Sequence, residues 1–416
     1  MLFKPFSLSK GIFCSFFLLY FSAGLRGVGL LYYLPFFLSF VFASYLIFRR
    51  PVVRLNSPAF FFVLFYLQTL IWLIPSLLVS SYAEIIQAFS RLILVFFTIA
   101  TVFTLPFFSK YLVRLYLIAV CLACLSIYFQ YIFGPLDWLL SEAASTRSSL
   151  ARFSSTAGNT IILSAAIPYA IIIFEDLFSH LRTNSSFRYL IRVIQFVLFF
   201  TSFLTLSRTS VGLTAISFVF VVFRNRFIIF LSLFSPHKSL QLNAFNLRQN
   251  ILFFVLATPL FVLLLSNFSD HIAVGLSSFS IDSSLFSSNT QPLETNNIST
   301  DLFTRLTWFR DLNSTFITQI IGSGSYFYGG LLGFLGPYSH NTYLDIYYTQ
   351  GYVGLFILAL FFVFSFLEAP SPSSLWFRLT ISFIFMVSAT HNSGLLFHPL
   401  WYLPLLFIIK PSKVIS

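Results

Sequence analysis

Charge is scarce in this chain. Asp, Glu, Lys and Arg together supply 9% of its 416 residues, where a soluble domain carries roughly 25%. That scarcity excludes a water-soluble globular fold and points to an integral membrane protein. Cysteine is sparse too: Cys14, Cys121 and Cys124 are the whole set. All three stand in apolar runs, and Cys121 and Cys124, three apart, share one face of a helix. As small core residues they need no other company. A metal site would need more ligands than the surrounding sequence offers. Neither a disulfide framework nor a metal centre nor any other cofactor is expected.

What the chain has instead is apolar length. Hydrophobic residues make up 58%, with 59 phenylalanines among them. The first residues, "MLFKPFSLSKGIFCSFFLLYFSAG", join a basic start to an apolar run, as a signal peptide does; with so many apolar runs following, a retained first helix is the simpler expectation. A span takes ~20 apolar residues. Runs that meet this need lie near 11–25, 27–48, 58–80, 91–108, 111–133, 157–174, 190–206, 209–223, 250–267, 343–367, 375–390 and 393–410. The run 227–234 is too short to cross and is expected along the cytoplasmic surface. The expected fold is an all-α membrane protein of about twelve spans. Residues 1–266 hold spans one to nine, 267–342 form one large periplasmic loop, and 343–416 hold the last three.

The distribution of charge supports this arrangement. With the N-terminus in the cytoplasm and sides alternating, 17 of the 24 basic residues fall inside, as the positive-inside rule requires. Counting 227–234 as a span would move Arg378, Lys410 and Lys413 outside. Both termini are therefore expected in the cytoplasm, and the net charge of +12 is topological, with no nucleic-acid partner implied. The acids lie the other way: only Glu175, Asp176 and Glu368 fall inside. No lysine falls outside. The basic residues there are all arginines, namely Arg26, Arg91, Arg147, Arg152, Arg208, Arg305 and Arg310. Each is either a surface anchor or, through its planar donor fork, a ligand for phosphate.

The large loop begins with a polar, Ser-rich stretch, "SSFSIDSSLFSSNTQPLETNNIST". Leu302, Leu306, Phe309, Leu312, Phe316 and Ile320 then recur at helical spacing. This predicts an amphipathic helix resting on the membrane or the bundle, with Arg305 and Trp308 on one face. "GSGS" at 322–325 ends it; a phosphate loop would need a lysine-serine pair after it, and none follows.

Polar groups gather at the expected outer ends of the helices. Arg152 and Asn159 lie where the sixth span enters from outside, Arg208 stands in the tight turn before the eighth, and Arg305 and Arg310 lie in the loop leading to the tenth. His340 and Asn341 stand at the mouth of that span, just ahead of Asp345. Polar groups near membrane depth are costly and tend to be functional. Arginines can hold a diphosphate and stabilise charge as it leaves, and a neutral histidine can take a proton from an attacking hydroxyl. Taken singly, a histidine at a helix end is more often structural. His391, next to Asn392, and His398 are rivals on the same side. His271 lies in the outer loop, and His180 and His237 fall on the cytoplasmic side.

Four segments resemble the O-antigen ligase and O-antigen polymerase superfamily of bacterial inner-membrane glycosyltransferases. "RFSSTAGNTIILSAAIPYA" resembles the family's Arg-x-Ser-Gly-Thr-x-x-Asn-Pro-Asn segment. "SRTSVGL" resembles its Ser-Arg-x-x-x-Gly turn. "TRLTWFRDLNSTFITQIIGSGSYFY" resembles its Arg-x-x-x-Trp helix and Gly-x-Gly loop. "HNTYLDIYYTQGYVGL" resembles its His-Asn-x-x-Leu and Gly-x-x-Gly-Leu signature. Residues 145–360 carry the likeness. Ser155 replaces a usual glycine, Thr160 a usual proline and Thr349 a frequent glutamate.

The resemblance implies a metal-independent transferase. Its donor would be a glycan on undecaprenyl diphosphate, and its acceptor either lipid A-core, as in a ligase, or another lipid-linked repeat unit, as in a polymerase. The implied catalytic residues are His340, Arg208 and Arg305, with Arg152, Asn159, Arg310 and Asn341 as substrate-binding residues. The implied location is the bacterial inner membrane, among its lipids. A polysaccharide or small-solute carrier is the alternative from another class. It predicts charged residues or broken helices near the midplane and internal repeats, and neither is visible in the sequence.

Overall fold

The computed structural model describes residues 55–79, 82–137, 140, 144–147, 150–157, 160–179, 185–205, 207–233, 316–322, 342–391 and 399–409. The expected spans at 11–25, 27–48 and 250–267, and the 267–342 loop apart from 316–322 and Thr342, lie outside these residues.

The described chain is an apolar helical bundle. Its helices are α1 (Ser57–Val79), α2 (Tyr82–Phe133), α3 (Thr160–Ser179), α4 (Ser185–Leu204), α5 (Arg208–Val222), α6 (Arg224–Leu233), α7 (Phe316–Ile321), α8 (Thr342–Leu367), α9 (Pro372–His391) and α10 (Pro399–Ile408). One departure from the all-α expectation is a hairpin between α2 and α3, in which β1 (Ala144–Arg147) pairs antiparallel with β2 (Leu150–Phe153). Leu112–Phe133, Thr342–Leu367 and Pro372–Thr390 are long and apolar enough to cross a membrane, and the bent pair α5–α6 would make a fourth crossing.

Capping residues set the helix ends. Asn56 Oδ1 accepts from the Ala59 N–H at 3.2 Å, while its Nδ2 donates to the Ile409 carbonyl at 3.0 Å. The start of α1 is thereby tied to the end of α10. Gly134 closes α2 at φ 94, donating its N–H to the Gln130 carbonyl at 2.9 Å; this left-handed conformation is one that glycine adopts without steric cost. Ser207 caps α5, its Oγ accepting from Ser210 N–H at 3.4 Å. Ser371 does the same for α9 at 3.1 Å, with Pro372 at the first helical position.

Side-chain contacts fix the relative directions of the helices. Tyr116 of α2 meets Ala166 of α3 while Ser126 meets Thr156, just ahead of α3, so the two helices are antiparallel. Pairs 175–192 and 171–195 make α3 and α4 antiparallel. Phe199 against Phe218 and the short turn at 205–207 reverse the chain again into α5. Phe220 packs on Phe383 and Arg224 on Trp376, so α9 runs against α5. One end of the bundle therefore collects the ends of α2, α4 and α9 and the starts of α3 and α5. At the other end Arg192 pairs with Glu175 at 2.7 Å, Arg224 donates to Ser373 Oγ at 3.1 Å, and Arg378 donates to the Ser365 carbonyl at 2.6 Å. The last contact satisfies one of the terminal carbonyls of α8.

Two expected features differ. A turn at 109–110 was expected to separate two spans, but α2 runs through it as 52 helical residues. Such a helix is about 78 Å long, against a hydrocarbon core of ~30 Å. Ser109 and Lys110 are compatible with helix, and no glycine stands there to end it. Pro106 is the one residue nearby that disturbs helical bonding. The run 227–234 forms most of α6, which turns 66° away from α5.

The other difference is a break in α8. Gly351 has φ 66 and ψ −161 in the middle of the helix. Tyr343 Oη donates to the Met386 carbonyl at 3.2 Å, while Phe362, nineteen positions later, packs on Phe385 at 5.6 Å. A straight helix would separate those positions by about 28 Å, yet they meet adjacent residues of α9. The segment before Gly351 is folded back against the segment after it.

Candidate functional site

The end of the bundle where α3 and α5 begin is where the candidate residues with described positions collect. Both helices run against α4 and are therefore parallel to each other. Ser210, in the first turn of α5, donates its Oγ–H to the Ser164 carbonyl of α3 at 3.1 Å. This bond sets the two N-terminal turns side by side. Arg208 is the first residue of α5, and Asn159 immediately precedes Thr160, the first residue of α3. Helix N-termini carry unsatisfied N–H groups and a positive partial charge, so two of them in register favour an anion.

The chain entering α3 is held from below by α2. Gln130, buried, donates to the Ser154 carbonyl at 2.6 Å and to the Ser126 carbonyl at 3.2 Å, and accepts from the Leu136 N–H at 3.2 Å. One side chain thus fastens both ends of the segment that carries the hairpin. Ser126 Oγ accepts from the Thr156 N–H at 3.1 Å. Ser155 is fully buried, and its Oγ accepts from the Ala157 N–H at 3.2 Å; the hydroxyl gives this position a role that glycine could not fill. Phe153 packs edge-on against Tyr131 with ring centroids 4.7 Å apart. Irregular backbone is tolerated at membrane depth only when its polar groups are met in this way. Arg152 lies on β2 opposite Ser145. The hairpin and the buried turn after it lead the chain from Arg152 to α3.

The start of α8 reaches the same end, since Tyr343 bonds to Met386 near the close of α9. Asn341 and His340 precede Thr342 directly in the chain. They lie outside the described residues, as do Asn159, Arg305 and Arg310. The backbone positions of Arg152 and Arg208 are described. The rival His391 closes α9 at this same end. Among the described residues no three His, Cys, Asp or Glu side chains stand together as metal ligands.

The polar cluster at the α8 break went unread in the sequence. Gln350, 2% exposed, donates its Nε2 to Thr69 Oγ1 at 2.5 Å, and Gln68 Nε2 donates to the Gln350 carbonyl at 3.1 Å. Gly322, closing α7 at φ 81, lies against the main chain of Thr349 and Gln350, and a Cβ on Gly351 would collide with the Ile320 carbonyl. Thr349 is buried and donates to the Asp345 carbonyl at 2.6 Å. A Cβ on Gly354 would collide with the Gln350 side chain. The glycines of "GYVGL" therefore have local work: Gly351 makes the break and Gly354 leaves room for Gln350. The available signal was the glycine spacing with glutamine beside it, in a run otherwise apolar enough to be read as one plain span.

Comparison with protein-family models, with curated proteins and with solved structures finds no match to this chain.

Proposed function

We propose that this chain is a membrane glycosyltransferase of the O-antigen ligase and polymerase type, working on a glycan linked to undecaprenyl diphosphate at the periplasmic face of the inner membrane. The observation that supports this reading best is the Ser210–Ser164 bond. It sets the first turns of α3 and α5 side by side, an arrangement suited to a diphosphate. In the proposed reaction the acceptor hydroxyl attacks the anomeric carbon of the donor sugar. The bond from that carbon to the diphosphate oxygen breaks, and undecaprenyl diphosphate leaves with the bonding electrons. His340 takes the hydroxyl proton, Arg208 and Arg305 stabilise the departing charge, and Arg152, Asn159, Arg310 and Asn341 line the approach. The acceptor is lipid A-core or another lipid-linked repeat.

The test is transfer from an undecaprenyl-diphosphate glycan by the purified protein in liposomes with chelator present. His340→Ala should lose detectable transfer, because a general base contributes roughly 10²–10⁴ in rate, while inserting normally. His391→Ala should keep most activity. An active His340→Ala protein beside a dead His391→Ala protein would move the assignment to the other histidine.

The broken α8 favours a second reading, a polysaccharide or small-solute carrier, since carriers build their sites on discontinuous helices. Flux of a lipid-linked or soluble glycan across the liposome membrane without covalent transfer would support that reading over the enzyme.

A further inference from the structure

The break in α8 leaves two buried acceptors with nothing to accept from. Gln68 Oε1 and Gln350 Oε1 are both buried and both lack a hydrogen-bond partner. Which end of each carboxamide is oxygen follows from the network around it. Thr69 donates its only hydroxyl proton to the Phe65 carbonyl at 3.2 Å. Toward Gln350 it can only accept, so the group facing it is the NH2 of Gln350. Gln68 faces the main-chain carbonyl of Gln350, which is an acceptor only, so its NH2 is fixed there as well. Turning either amide over would set oxygen against oxygen. Both free oxygens therefore belong to the native arrangement.

The other oxygens shown at the break are uncharged carbonyls and hydroxyls. The first segment of α8 ends at Gln350 and the Ile320 carbonyl at the end of α7 lies against Gly351. The hydroxyls of Thr69 and Thr349 stand in the same stretch, 0% and 7% exposed. A helix break presents one negative and one positive helix end, which together choose no sign. The two carboxamides decide it, because both turn their donors to protein and leave their oxygens free. Divalent cations take carboxylates and transition metals take imidazole or thiolate. Uncharged carbonyl and hydroxyl oxygens at a broken membrane helix hold sodium or potassium.

We propose that the α8 break binds a monovalent metal cation, with Gln68 Oε1 and Gln350 Oε1 as its side-chain ligands, Gly351 letting the Ile320 carbonyl approach and Gly354 letting the Gln350 side chain take its place. The proposal does not depend on the transfer reading. Cation occupancy ties α1, α7 and both segments of α8 into one unit.

The experiment is thermal unfolding of the full-length protein in detergent, in sodium, potassium or choline chloride at equal ionic strength. The wild type should melt higher in sodium or potassium than in choline, with a shift that saturates as a binding site does. Gln68→Met and Gln350→Met keep the side-chain length but remove the oxygen, and each should melt alike in all three salts. Gly354→Ala, which displaces the Gln350 side chain without removing it, should weaken the cation response and serves if the methionine variants do not fold. A wild-type midpoint equal in all salts would overturn the proposal, leaving water as the occupant. So would a cation shift that persists undiminished in every variant that folds.

Discussion

Arg208 stands one position past the Ser207 cap, where a basic side chain opposes the helix dipole and must gain something else from its place. In the proposed site that gain is the substrate diphosphate. Arg208→Ala should therefore lower transfer by ~10²–10³, the usual loss when one transition-state contact goes. Arg208→Lys should restore little, since lysine lacks the bidentate fork, while Arg147→Ala on β1 should be mild. Near-normal turnover by a well-inserted Arg208→Ala protein would remove Arg208 from the site. Motif spacing made Arg208, Arg152 and the His340–Asn341 pair legible as candidates. The residues that hold their segments in place were not legible. Gln130 reaches Ser154 across 24 positions and Leu136 across six, and a glutamine inside an apolar run gives no sign of which strand it will fasten. The same holds for Ser126 and Ser155, whose hydroxyls answer backbone N–H groups exposed only once the loop folds in.

At the scale of elements, apolar length marked several helices closely because burial and helix length share one physical cause. The apolar runs 58–80, 343–367 and 375–390 coincide with the helices Ser57–Val79, Thr342–Leu367 and Pro372–His391, the second of them broken at Gly351. Hydropathy says nothing of dihedral angles, so the break inside α8 passed unseen. It was equally silent on the hairpin, whose eight paired residues include too few hydrophobic ones to mark it. The expected turn at 109–110 failed for a related reason: charge marks a membrane boundary, but only a residue unfit for helix stops the helix. The break itself can be tested against a control. Gly134 and Gly351 both hold positive φ, but a Cβ on Gly134 meets nothing within 4 Å, while one on Gly351 collides with the Ile320 carbonyl. Gly134→Ala should cost about 1–2 kcal/mol, the penalty of left-handed backbone alone. Gly351→Ala should cost distinctly more and lower the unfolding midpoint further in detergent. Equal costs, or the reverse order, would mean that α7 does not abut α8 at this point.

At the scale of the molecule, the two ends of the bundle differ in kind. One end gathers the Arg192–Glu175 pair, Arg224 and Arg378. The other gathers the N-termini of α3 and α5, the buried turn at 154–157 and the start of α8. Packing fixes which helices run alike: α3 and α5 run together, with α4 and α9 against them, as the alternation read from charge has it, whereas the unbroken α2 does not alternate between 91–108 and 111–133. It leaves to charge the assignment of each end to a compartment. Lysine and arginine are held back in the cytoplasm during insertion, so the end with Arg192, Arg224 and Arg378 should face inward and the loop at 267–342 outward. The bend of α6 away from α5 matters here, because a crossing at 227–234 would reverse every later segment. In a variant with Cys14, Cys121 and Cys124 replaced, single cysteines at Ser235 and Ser288 report on the two sides. An impermeant thiol reagent applied to intact cells with a permeabilised outer membrane should label the cysteine at 288 and spare the one at 235 until the inner membrane is opened. Labelling at 235 with protection at 288 would invert the bundle. It would also place the α3–α5 site in the cytoplasm, where a periplasmic transfer reaction could not use it.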